Sequence, residues 1–542
     1  MRNRILVAAV LLLAAWLRLT GLDWDRGHGF HPDERDLVEA ALRLGDGADP
    51  GFYADNGLPL HAVRAAARGA AAIRGEPDEP DGVAFSTFCA RVISALASLA
   101  AVAVAWRLGC AAGGAGFGLL FAALLAFAAG LVQAAHFGTS ASLLVLWQLA
   151  TALAAARLVQ DPSRWLRPAL ASGLFAGLAA GTTTIGATFL LIPAIAVALG
   201  FRARGAAGSL AALGVVIAVA AGVFAAVSPH SLQHADAWLQ ALRAEYAIAT
   251  GAAPPGLYTL QFRGAPPLRF EISNLHWLAG PLIPVLGAGG MVWLLATARR
   301  HARWRPALPL VGFGAAYGIY IATLDAKFAR YQLPLLPALL FGAAWALVAV
   351  HERRPRLAKI AGAAVVATSL LWALAVAAIY GTPDPRLVAS AWLLKSAPPG
   401  SIVLNERRDV ALPVSDDASP NLTLRSIDSL APESDAKLAT TAQELAAAQY
   451  LVLASGRVDE AVRAHPELFP DTSALHRALL AGRLGWEPVA RFKSLPHVGP
   501  VRMRDDAVEE TIRVFDHPTV VIFQNKGHLT AADLVAAIRT PQ

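Results

Sequence analysis

The sequence predicts a polytopic α-helical membrane protein with about eleven transmembrane helices and a C-terminal extracytoplasmic α/β domain. Three observations predict this class: 56% of the 542 residues are hydrophobic, only 16% are charged, and long apolar segments recur up to residue 380. Soluble proteins usually carry about 25% charged residues, so an ordinary soluble enzyme is excluded. The two cysteines, Cys89 and Cys110, lie roughly 30 Å apart along one predicted helix and cannot form a disulfide with each other.

Eleven apolar segments are predicted to cross the membrane, because a crossing helix needs about 20 largely apolar residues. The segments are 4–20, 88–108, 115–135, 139–156, 167–182, 184–201, 207–227, 278–297, 306–323, 331–350 and 358–380. The first follows Arg2 and Arg4 and resembles a signal peptide. It lacks a small-residue cleavage site at Trp16-Leu17-Arg18, so we expect a retained first helix.

The placement of Arg and Lys predicts the orientation of these helices. Basic residues flank the segments on one side, whereas loop 21–85 on the other side holds 13 acidic residues against six Arg. We therefore predict a cytoplasmic N-terminus and extracytoplasmic polar segments at 21–85, 228–277 and 383–542. The 46 basic residues are mostly Arg, in an Ala-rich background that favours a bacterium and its inner membrane. The net charge of +7 comes from basic residues that flank the membrane segments. We therefore predict the lipid bilayer as a partner and no nucleic-acid partner.

The composition changes after residue 382, which predicts a transmembrane domain over 1–382 and an extracytoplasmic α/β domain over 383–542. About 160 residues suffice for one compact domain. The predicted strands are Ser401–Asn405, Tyr450–Leu453, Val489–Phe492 and Thr519–Gln524. The predicted helices are Arg386–Lys395, Asp435–Ala448, Val458–Ala464 and Ala474–Leu484, with a last helix that Thr530 and Asp533 cap and that ends at Arg539.

The first loop contains adjacent carboxylates in the segment His31-Pro32-Asp33-Glu34. Placing a carboxylate near a bilayer costs free energy unless water solvates the group or the group has a function. On a helix the two would diverge by about 100°, so only one can face a given cavity, which suits a single general base. The alternative is a helix N-terminus, in which Pro32 begins the helix and both acids favour its dipole.

A second polar cluster, Lys327 with Arg330 and Tyr331, lies where the tenth segment begins on the extracytoplasmic side. Residues three apart share a face of a helix, so this basic pair is predicted to hold a lipid phosphate or diphosphate. The alternative is that both side chains reach toward lipid headgroups beside an interfacial tyrosine. His136-Phe137, where the third and fourth segments meet, is a weaker candidate, because a lone interfacial histidine is more often structural.

In combination, these motifs resemble the membrane glycosyltransferases of the C-type (GT-C) fold, and specifically the bacterial relatives of protein O-mannosyltransferases and aminoarabinose transferases (glycosyltransferase family 39-like). The resemblance covers residues 1–380. It is carried by His31-Pro32-Asp33-Glu34, His136-Phe137 and Lys327-Phe328-Ala329-Arg330-Tyr331 with the following Leu333-Pro334-Leu335-Leu336-Pro337. The C-terminal region is also similar to the outer domain of a bacterial subset of these proteins.

The resemblance implies transfer of a sugar, with inversion, from a polyprenyl-phosphate carrier to an acceptor hydroxyl outside the membrane. It implies that Asp33 is the general base and that Glu34 orients the acceptor or a neighbouring loop. It implies that Lys327 and Arg330 stabilise the departing phosphate. His31, His136 and Tyr331 are the further predicted substrate-binding residues. No cofactor is implied, we predict no required metal, and the acceptor is left open between protein, lipid and glycan.

The sequence departs from the family pattern in two places. Relatives often carry a second acidic residue shortly after His-Phe, where this chain has Thr139-Ser140-Ala141-Ser142. They often carry a Lys where this chain has Thr182-Thr183-Thr184. The alternative hypothesis is therefore a catalytically lapsed GT-C-fold protein of the envelope that binds a partner or acts as a scaffold through its C-terminal domain. A transporter is a weaker hypothesis, because no pair of broken helices is evident.

Overall fold

The computed structural model describes residues 2–44, 49–75, 82–253, 256, 258–266, 268–297, 302–414 and 422–540. Parts of the predicted loops 21–85 and 228–277 lie outside these residues. The chain divides into two compact units. Unit 1 comprises Met1–Ala253, Pro267–Ala378 and His497–Arg502, and unit 2 comprises Pro254–Pro266, Ile379–Pro496 and Met503–Gln542.

Unit 1 is helical. Its α-helices are α1 (Arg2–Leu19), α2 (Pro32–Arg43), α3 (Gly57–Arg74), α4 (Val83–Gly113), α5 (Ala115–Ala126), α6 (Ala129–Ala135), α7 (Ala141–Gln160), α8 (Leu166–Thr182), α9 (Leu191–Leu199), α10 (Phe201–Val227), α11 (Pro229–Gln233), α12 (Ala235–Ala249), α13 (Arg269–Ala279), α14 (Ile283–Thr297), α15 (Leu308–Ala322), α16 (Leu336–Arg353) and α17 (Pro355–Ala377). Its 3₁₀ helices are Pro162–Arg164, Thr184–Leu190, Ala302–Ala307 and Ala329–Leu335.

Each predicted membrane segment coincides with helix in the structure, but the predicted number of eleven crossings is not confirmed. Within the described part of the chain, five helices are long and apolar enough to cross a membrane. The number rises to seven if two bent pairs each count as one span. In these pairs, α5 and α6 meet at 59°, and α13 and α14 meet at 103°. Several predicted spans are therefore shorter or more broken than their apolar runs suggest.

Small residues allow the helices of unit 1 to pack closely. A methyl group at Gly173 or Gly177 of α8 would lie 2.7 Å from a backbone oxygen of α10. At Gly287 of α14 it would lie 2.5 Å from a backbone oxygen of α16, and Gly342 of α16 faces α14 in the same way. These glycines therefore set the distance between the paired helices, as small residues do between helices in membranes.

Unit 2 has the mixed α/β architecture that the sequence predicts. The strands of the chain are β1 (Ile402–Glu406), β2 (Thr423–Ile427), β3 (Tyr450–Leu453), β4 (Trp486–Lys493), β5 (His497–Val498), β6 (Val501–Arg502) and β7 (Thr519–Asn525), and the short hairpin β5–β6 belongs to unit 1. The helices of unit 2 are α18 (Pro385–Ser396), α19 (Asp435–Ala447), α20 (Arg457–Ala464), α21 (Pro470–Leu480) and α22 (Ala531–Arg539). Its described residues form a sheet of order β2-β1-β3-β7-β4, in which β1 runs parallel to β2 and β3 while β7 runs antiparallel to β3 and β4.

The sheet of unit 2 is covered on both faces. Leu404, Leu451 and Phe523 pack with α19, α21 and α22, whereas Val403 and Ile522, which point the other way, pack with α18. This alternation follows from the two-residue period of a strand. The predicted cap of the last helix is confirmed, because the Thr530 and Asp533 side chains bond each other's backbone nitrogens.

Two elements of unit 2 were not predicted correctly from the sequence. Strand β2 is absent from the prediction because four of its five residues are exposed, which removes the hydrophobic pattern. Helix α21 begins at Pro470 and ends at Leu480, earlier than predicted, because Gly482 then adopts a φ of 71°. Such a φ favours glycine and ends a helix.

Unit 2 also includes a strap from the middle of the chain, the 3₁₀ helix Leu260–Phe262. The Gln261 amide donates to Glu509 at 2.7 Å and accepts from the Glu510 backbone nitrogen at 3.0 Å. The Leu260 carbonyl oxygen lies 2.8 Å from Nε2 of His465. The strap is thus held by hydrogen bonds to residues 205 to 249 positions later in the chain.

Two buried histidines of unit 2 pair with carboxylates. His517 contacts Asp505 at 2.9 Å and also Asp516, while His476 contacts Glu406 at 3.2 Å and Asp459 at 3.1 Å. Burial alone would lower the pKa of each histidine, but the paired carboxylates raise both values to about 9. Both histidines are therefore cations near neutral pH.

Candidate functional site

Helix α2 directs its two adjacent carboxylates to different places. His31 is the N-cap residue, Pro32 occupies the first turn, and Asp33 and Glu34 lie in that turn, so the helix N-terminus of the alternative interpretation exists. The Asp33 side chain is 48% exposed, whereas that of Glu34 is fully buried. As the angular argument predicts, only Asp33 faces the open side of the helix.

Glu34 belongs to a buried cluster of charges that the sequence did not reveal. Arg91 of α4 donates to both carboxylate oxygens of Glu34 at 2.7 Å and to those of Asp25 at 2.8 and 2.9 Å. Burial alone would raise the pKa of Asp25, but the hydrogen bonds and the charge of Arg91 hold it below its ordinary value. Arg91 is about 99% buried, so this ion triad fixes α2 against α4.

Glu34 also holds the turn that follows His136-Phe137. The Gly138 backbone nitrogen donates to Glu34 Oε1 at 2.6 Å, and a methyl group at Gly138 would lie 2.6 Å from Ala90 Cβ. This turn leads directly into Ser140, the N-cap residue of α7. The buried triad therefore positions residues 138–140.

The two histidines of the predicted site are buried. The His136 side chain places Nδ1 2.9 Å from the Val132 carbonyl oxygen and Nε2 3.0 Å from that of Thr20, so it connects the end of α1 to α6. His31 packs its ring on Phe137, with 4.5 Å between ring centroids. Both histidines thus make contacts inside the fold that support the loop between α1 and α2 and the turn after α6.

Lys327 and Arg330 do not share a helical face, and that prediction is wrong. Phe328 adopts φ −58° and ψ 138°, so the 3₁₀ helix begins only at Ala329 and the two basic residues point apart. Lys327 forms an ion pair with Glu271 of α13 at 2.5 Å and donates to the Ala322 carbonyl oxygen at 2.9 Å. Its side chain is only 16% exposed.

Arg330 instead reaches Asp33. Its NH1 lies 2.9 Å from Asp33 Oδ2, and its side chain is 45% exposed. The guanidinium also lies over the rings of Phe328 and Tyr331, at 4.7 and 5.8 Å from the ring centroids. Tyr331 is held in turn by a hydrogen bond from the Tyr317 hydroxyl to its carbonyl oxygen at 2.9 Å. The structure therefore brings together Asp33, Arg330 and Tyr331 from two of the predicted motifs.

The structure adds Asp55, which the sequence did not single out. Asp55 is partly buried just before α3, and its carboxylate accepts a hydrogen bond from the Ser140 hydroxyl. It is close enough to Asp33, Arg330 and Glu245 for their charges to act on it. Burial, together with the charges of Asp33 and Glu245, raises the pKa of Asp55 to about 7, although the Ser140 hydrogen bond and the charge of Arg330 oppose the rise.

The backbone beside Asp55 is firmly held. Asn56 donates its backbone N–H to the Thr182 carbonyl oxygen at 3.0 Å and its side-chain amide to that of Ala180 at 2.7 Å. The Gly57 backbone nitrogen donates to the Ser228 hydroxyl at 2.9 Å, and a methyl group at Gly57 would lie 2.1 Å from the Val227 carbonyl oxygen. The ends of α8 and α10 therefore fix the position of the backbone beside Asp55.

The described residues include no group of three or more His, Cys, Asp or Glu side chains arranged to hold a metal ion.

The chain resembles solved membrane enzymes in fold. The archaeal oligosaccharyltransferase AglB from Archaeoglobus fulgidus, in complex with an inhibitory peptide and a dolichol-phosphate, aligns with TM-score 0.53 and 13% sequence identity over 95% of this chain and 78% of that chain. ArnT from Cupriavidus metallidurans in the apo state aligns with TM-score 0.50 and 15% identity over 99% of both chains. No protein-family model and no curated protein matches the chain by sequence. The predicted fold is confirmed: the chain shares the architecture of the C-type membrane glycosyltransferases.

Proposed function

We propose that the protein is an inverting glycosyltransferase. It moves a sugar from a polyprenyl-phosphate carrier to an acceptor hydroxyl at the extracytoplasmic face of a bacterial inner membrane. The ion pair between Asp33 and Arg330 carries the proposal, because it places one carboxylate and one guanidinium, both half exposed, side by side in a C-type fold. The two solved enzymes of this fold support the reaction class, and one of them holds a dolichol-phosphate.

The pair contains the groups that the reaction needs. The acceptor hydroxyl gives its proton to the Asp33 carboxylate while its oxygen bonds to the anomeric carbon. The bond between that carbon and the carrier phosphate breaks, and the electron pair leaves on the phosphate. Arg330 stabilises the resulting charge, because a guanidinium binds phosphate through paired hydrogen bonds.

The ion pair also couples the base to the donor. While Arg330 contacts Asp33, its positive charge favours the ionised carboxylate and makes that carboxylate a weaker base. A carrier phosphate competes with Asp33 for the guanidinium. When the phosphate takes Arg330, Asp33 loses its cation and its affinity for a proton rises, so the base strengthens when a donor is bound.

The other predicted residues take supporting roles in this proposal. Glu34 orients the turn at Gly138 and not the acceptor, because its carboxylate is fully buried and paired with Arg91. Lys327 holds the segment before Arg330 through Glu271 and Ala322 instead of binding phosphate. His31 and His136 support the same loop, and Tyr331 packs under the guanidinium of Arg330.

A transfer assay tests the proposal. Membranes that contain the wild type, Asp33→Asn or Arg330→Met are given labelled carrier-linked sugars, and label incorporation is measured. Loss of a general base typically costs about 10²–10⁴-fold, so we expect such a loss for Asp33→Asn and a clear loss for Arg330→Met. Glu39→Gln is the matched control, because Glu39 lies on the same helix, is 42% exposed and pairs with Arg35 and Arg43.

Two results would contradict the proposal in different ways. Equal transfer by the wild type and Asp33→Asn would remove Asp33 as the base. No transfer by the wild type with any carrier-linked sugar would reject the reaction and favour the lapsed scaffold protein.

A further inference from the structure

A cavity of about 680 Å³ lies in unit 1 where α4 and α7 end. Its walls are the last turn of α4 with Gly114, the end of α7 at Gln160, and Arg303 and Arg305 of the 3₁₀ helix Ala302–Ala307. Sites for small ligands usually have volumes of about 300–1,000 Å³, so a small ligand fits. We call this site the arginine cavity.

The arginine cavity is positively charged. Both of its arginines are exposed, and none of the described residues that line it is acidic. Arg107 and Arg157 are exposed one turn earlier on α4 and α7 and add to the positive charge at these helix ends. The carboxylate of Asp161, which follows α7, accepts from the Ser163 hydroxyl and pairs with Arg164. The charges therefore favour an anion in this cavity.

The two guanidiniums of the cavity are held in place. Arg303 donates to the Gly113 carbonyl oxygen at 2.9 Å, and Arg305 donates to that of Leu199 at 3.0 Å. Trp304, between the two arginines, is buried and anchors the 3₁₀ helix. The bonds cap the last residues of α4 and α9, but each bond uses only one of the five N–H groups of a guanidinium. Each arginine can therefore also donate to a ligand.

The position of the cavity indicates which anion it meets. Both α4 and α7 are long and apolar enough to cross a membrane, so their ends lie close to a membrane surface. The placement of Arg and Lys in the sequence predicts that this is the cytoplasmic surface. Lipid phosphates lie at this level, and basic pockets between membrane helices on this side bind the headgroups of anionic lipids.

We propose that the arginine cavity binds the headgroup of an anionic phospholipid from the cytoplasmic leaflet. Arg303 and Arg305 donate to the phosphodiester oxygens, because a guanidinium matches the geometry of phosphate. The Gln160 amide nitrogen donates to the Ala111 carbonyl oxygen at 2.8 Å, and its own carbonyl oxygen can accept from a headgroup hydroxyl. The bound lipid thereby joins the ends of α4, α7 and α9.

Native mass spectrometry tests this inference. The full-length protein is placed in nanodiscs of phosphatidylcholine with increasing fractions of phosphatidylglycerol, and the phosphatidylglycerol molecules that stay bound after release are counted. We expect the wild type to retain one such lipid. The double variant Arg303→Gln/Arg305→Gln should bind it at least about tenfold more weakly, because two charge-assisted contacts are lost. Arg303→Lys/Arg305→Lys keeps both charges but loses the paired hydrogen bonds, so its binding should be intermediate.

Two further variants separate the cavity from the general charge of the surface. Arg164→Gln/Arg202→Gln removes two exposed arginines from the same predicted side, outside the cavity, and should match the wild type. Gln160→Glu keeps both cavity arginines but adds a negative charge beside them, so it should weaken binding of the lipid. Gln160 is exposed, so this substitution should leave the fold intact.

Three results would overturn the inference. The first is equal retention of phosphatidylglycerol by the wild type and Arg303→Gln/Arg305→Gln. The second is an equal loss in Arg164→Gln/Arg202→Gln, which would show an effect of net charge alone. The third is displacement of the lipid by millimolar glycerol 3-phosphate, which would assign the cavity to a soluble phosphate. If the double glutamine variant does not fold, Gln160→Glu decides, and unchanged retention would then reject the site. The measurement needs no transfer activity, so its outcome is independent of the proposed function.

Discussion

Glu34 and Asp33 are neighbours in the sequence, yet their carboxylates have opposite surroundings. Glu34 is fully buried and receives two hydrogen bonds from Arg91, whereas Asp33 is half exposed and meets Arg330, 297 residues later in the chain. The first turn of α2 thus contains both Glu34, which supports the site, and Asp33, which is the candidate base. The two positions should therefore respond differently to substitution.

Removal of Arg91 should be strongly destabilising. Arg91→Met leaves the buried carboxylates of Asp25 and Glu34 without their cation, and breaking a buried ion pair typically costs about 3–5 kcal/mol. The free energy of unfolding in detergent micelles measures the loss. Arg35→Met on α2, where Arg35 is 52% exposed, should change it by no more than about 0.5 kcal/mol. Equal stability of the two variants would show that the triad does not hold the fold.

The ion pairs that Arg330 and Lys327 form should have different coupling energies. Asp33 and Arg330 are both nearly half exposed, so a double-mutant cycle should give only about 0.2–1 kcal/mol. Lys327 and Glu271 are 16% and 12% exposed and should give a larger coupling, because water screens them less. A larger coupling between Asp33 and Arg330 would indicate that their contact mainly stabilises the fold, which would weaken its assignment to the reaction.

Two glycines of α3 offer a matched comparison. A methyl group at Gly57 would meet the Val227 carbonyl oxygen at 2.1 Å, whereas nothing lies within 4 Å of one at Gly69. Gly57→Ala should destabilise the protein by about 1–3 kcal/mol and lower transfer activity, because the backbone beside Asp55 must shift. Gly69→Ala should raise stability by up to about 1 kcal/mol, since Ala favours a helix more than Gly does. Thermal unfolding and the transfer assay on both variants check this, and a stable, fully active Gly57→Ala would refute it.

Unit 2 should lose stability at alkaline pH. An unfolded histidine has a pKa of about 6.5, whereas His517 and His476 in the fold have pKa values of about 9. The stabilisation is therefore complete below about pH 6.5 and is lost as the pH rises through 9. Calorimetry of the full chain should show that the unfolding temperature of unit 2 falls as the pH rises over this range. In His517→Gln this temperature should fall less. His528→Asn is the control, because His528 is exposed and its φ of 46° suits asparagine. An equal decline in the wild type and His517→Gln would contradict the prediction.

Local patterns were enough to predict much of the fold. The apolar segments coincide with helices, and the predicted strands Tyr450–Leu453 and Thr519–Gln524 lie in the sheet as expected, because each is specified by its own residues. The divergence of Asp33 and Glu34 followed from helix geometry alone. Their partners did not, since Arg91 and Arg330 come from distant segments.

The remaining parts of the site depend on tertiary contacts. Arg91 lies inside a predicted membrane helix, and a charge in such a place calls for a partner, so this signal was present in the sequence. No local pattern distinguishes Asp55 from the other acids of loop 21–85, because its neighbours are supplied by α2, α7 and α12. The predicted shared face of Lys327 and Arg330 requires a helix across both residues, and the extended backbone of Phe328 interrupts it.

The strap Leu260–Phe262 means that unit 2 is not one continuous block of sequence. A chain that stopped at residue 378 would keep this strap but lose Glu509, Glu510 and His465, which hold it. Residues 379–542 on their own would lack the strap that these groups bind. Truncation at a single point, or exchange of the C-terminal region between related chains, therefore damages both pieces, and only a transfer of residues 254–266 together with that region preserves unit 2.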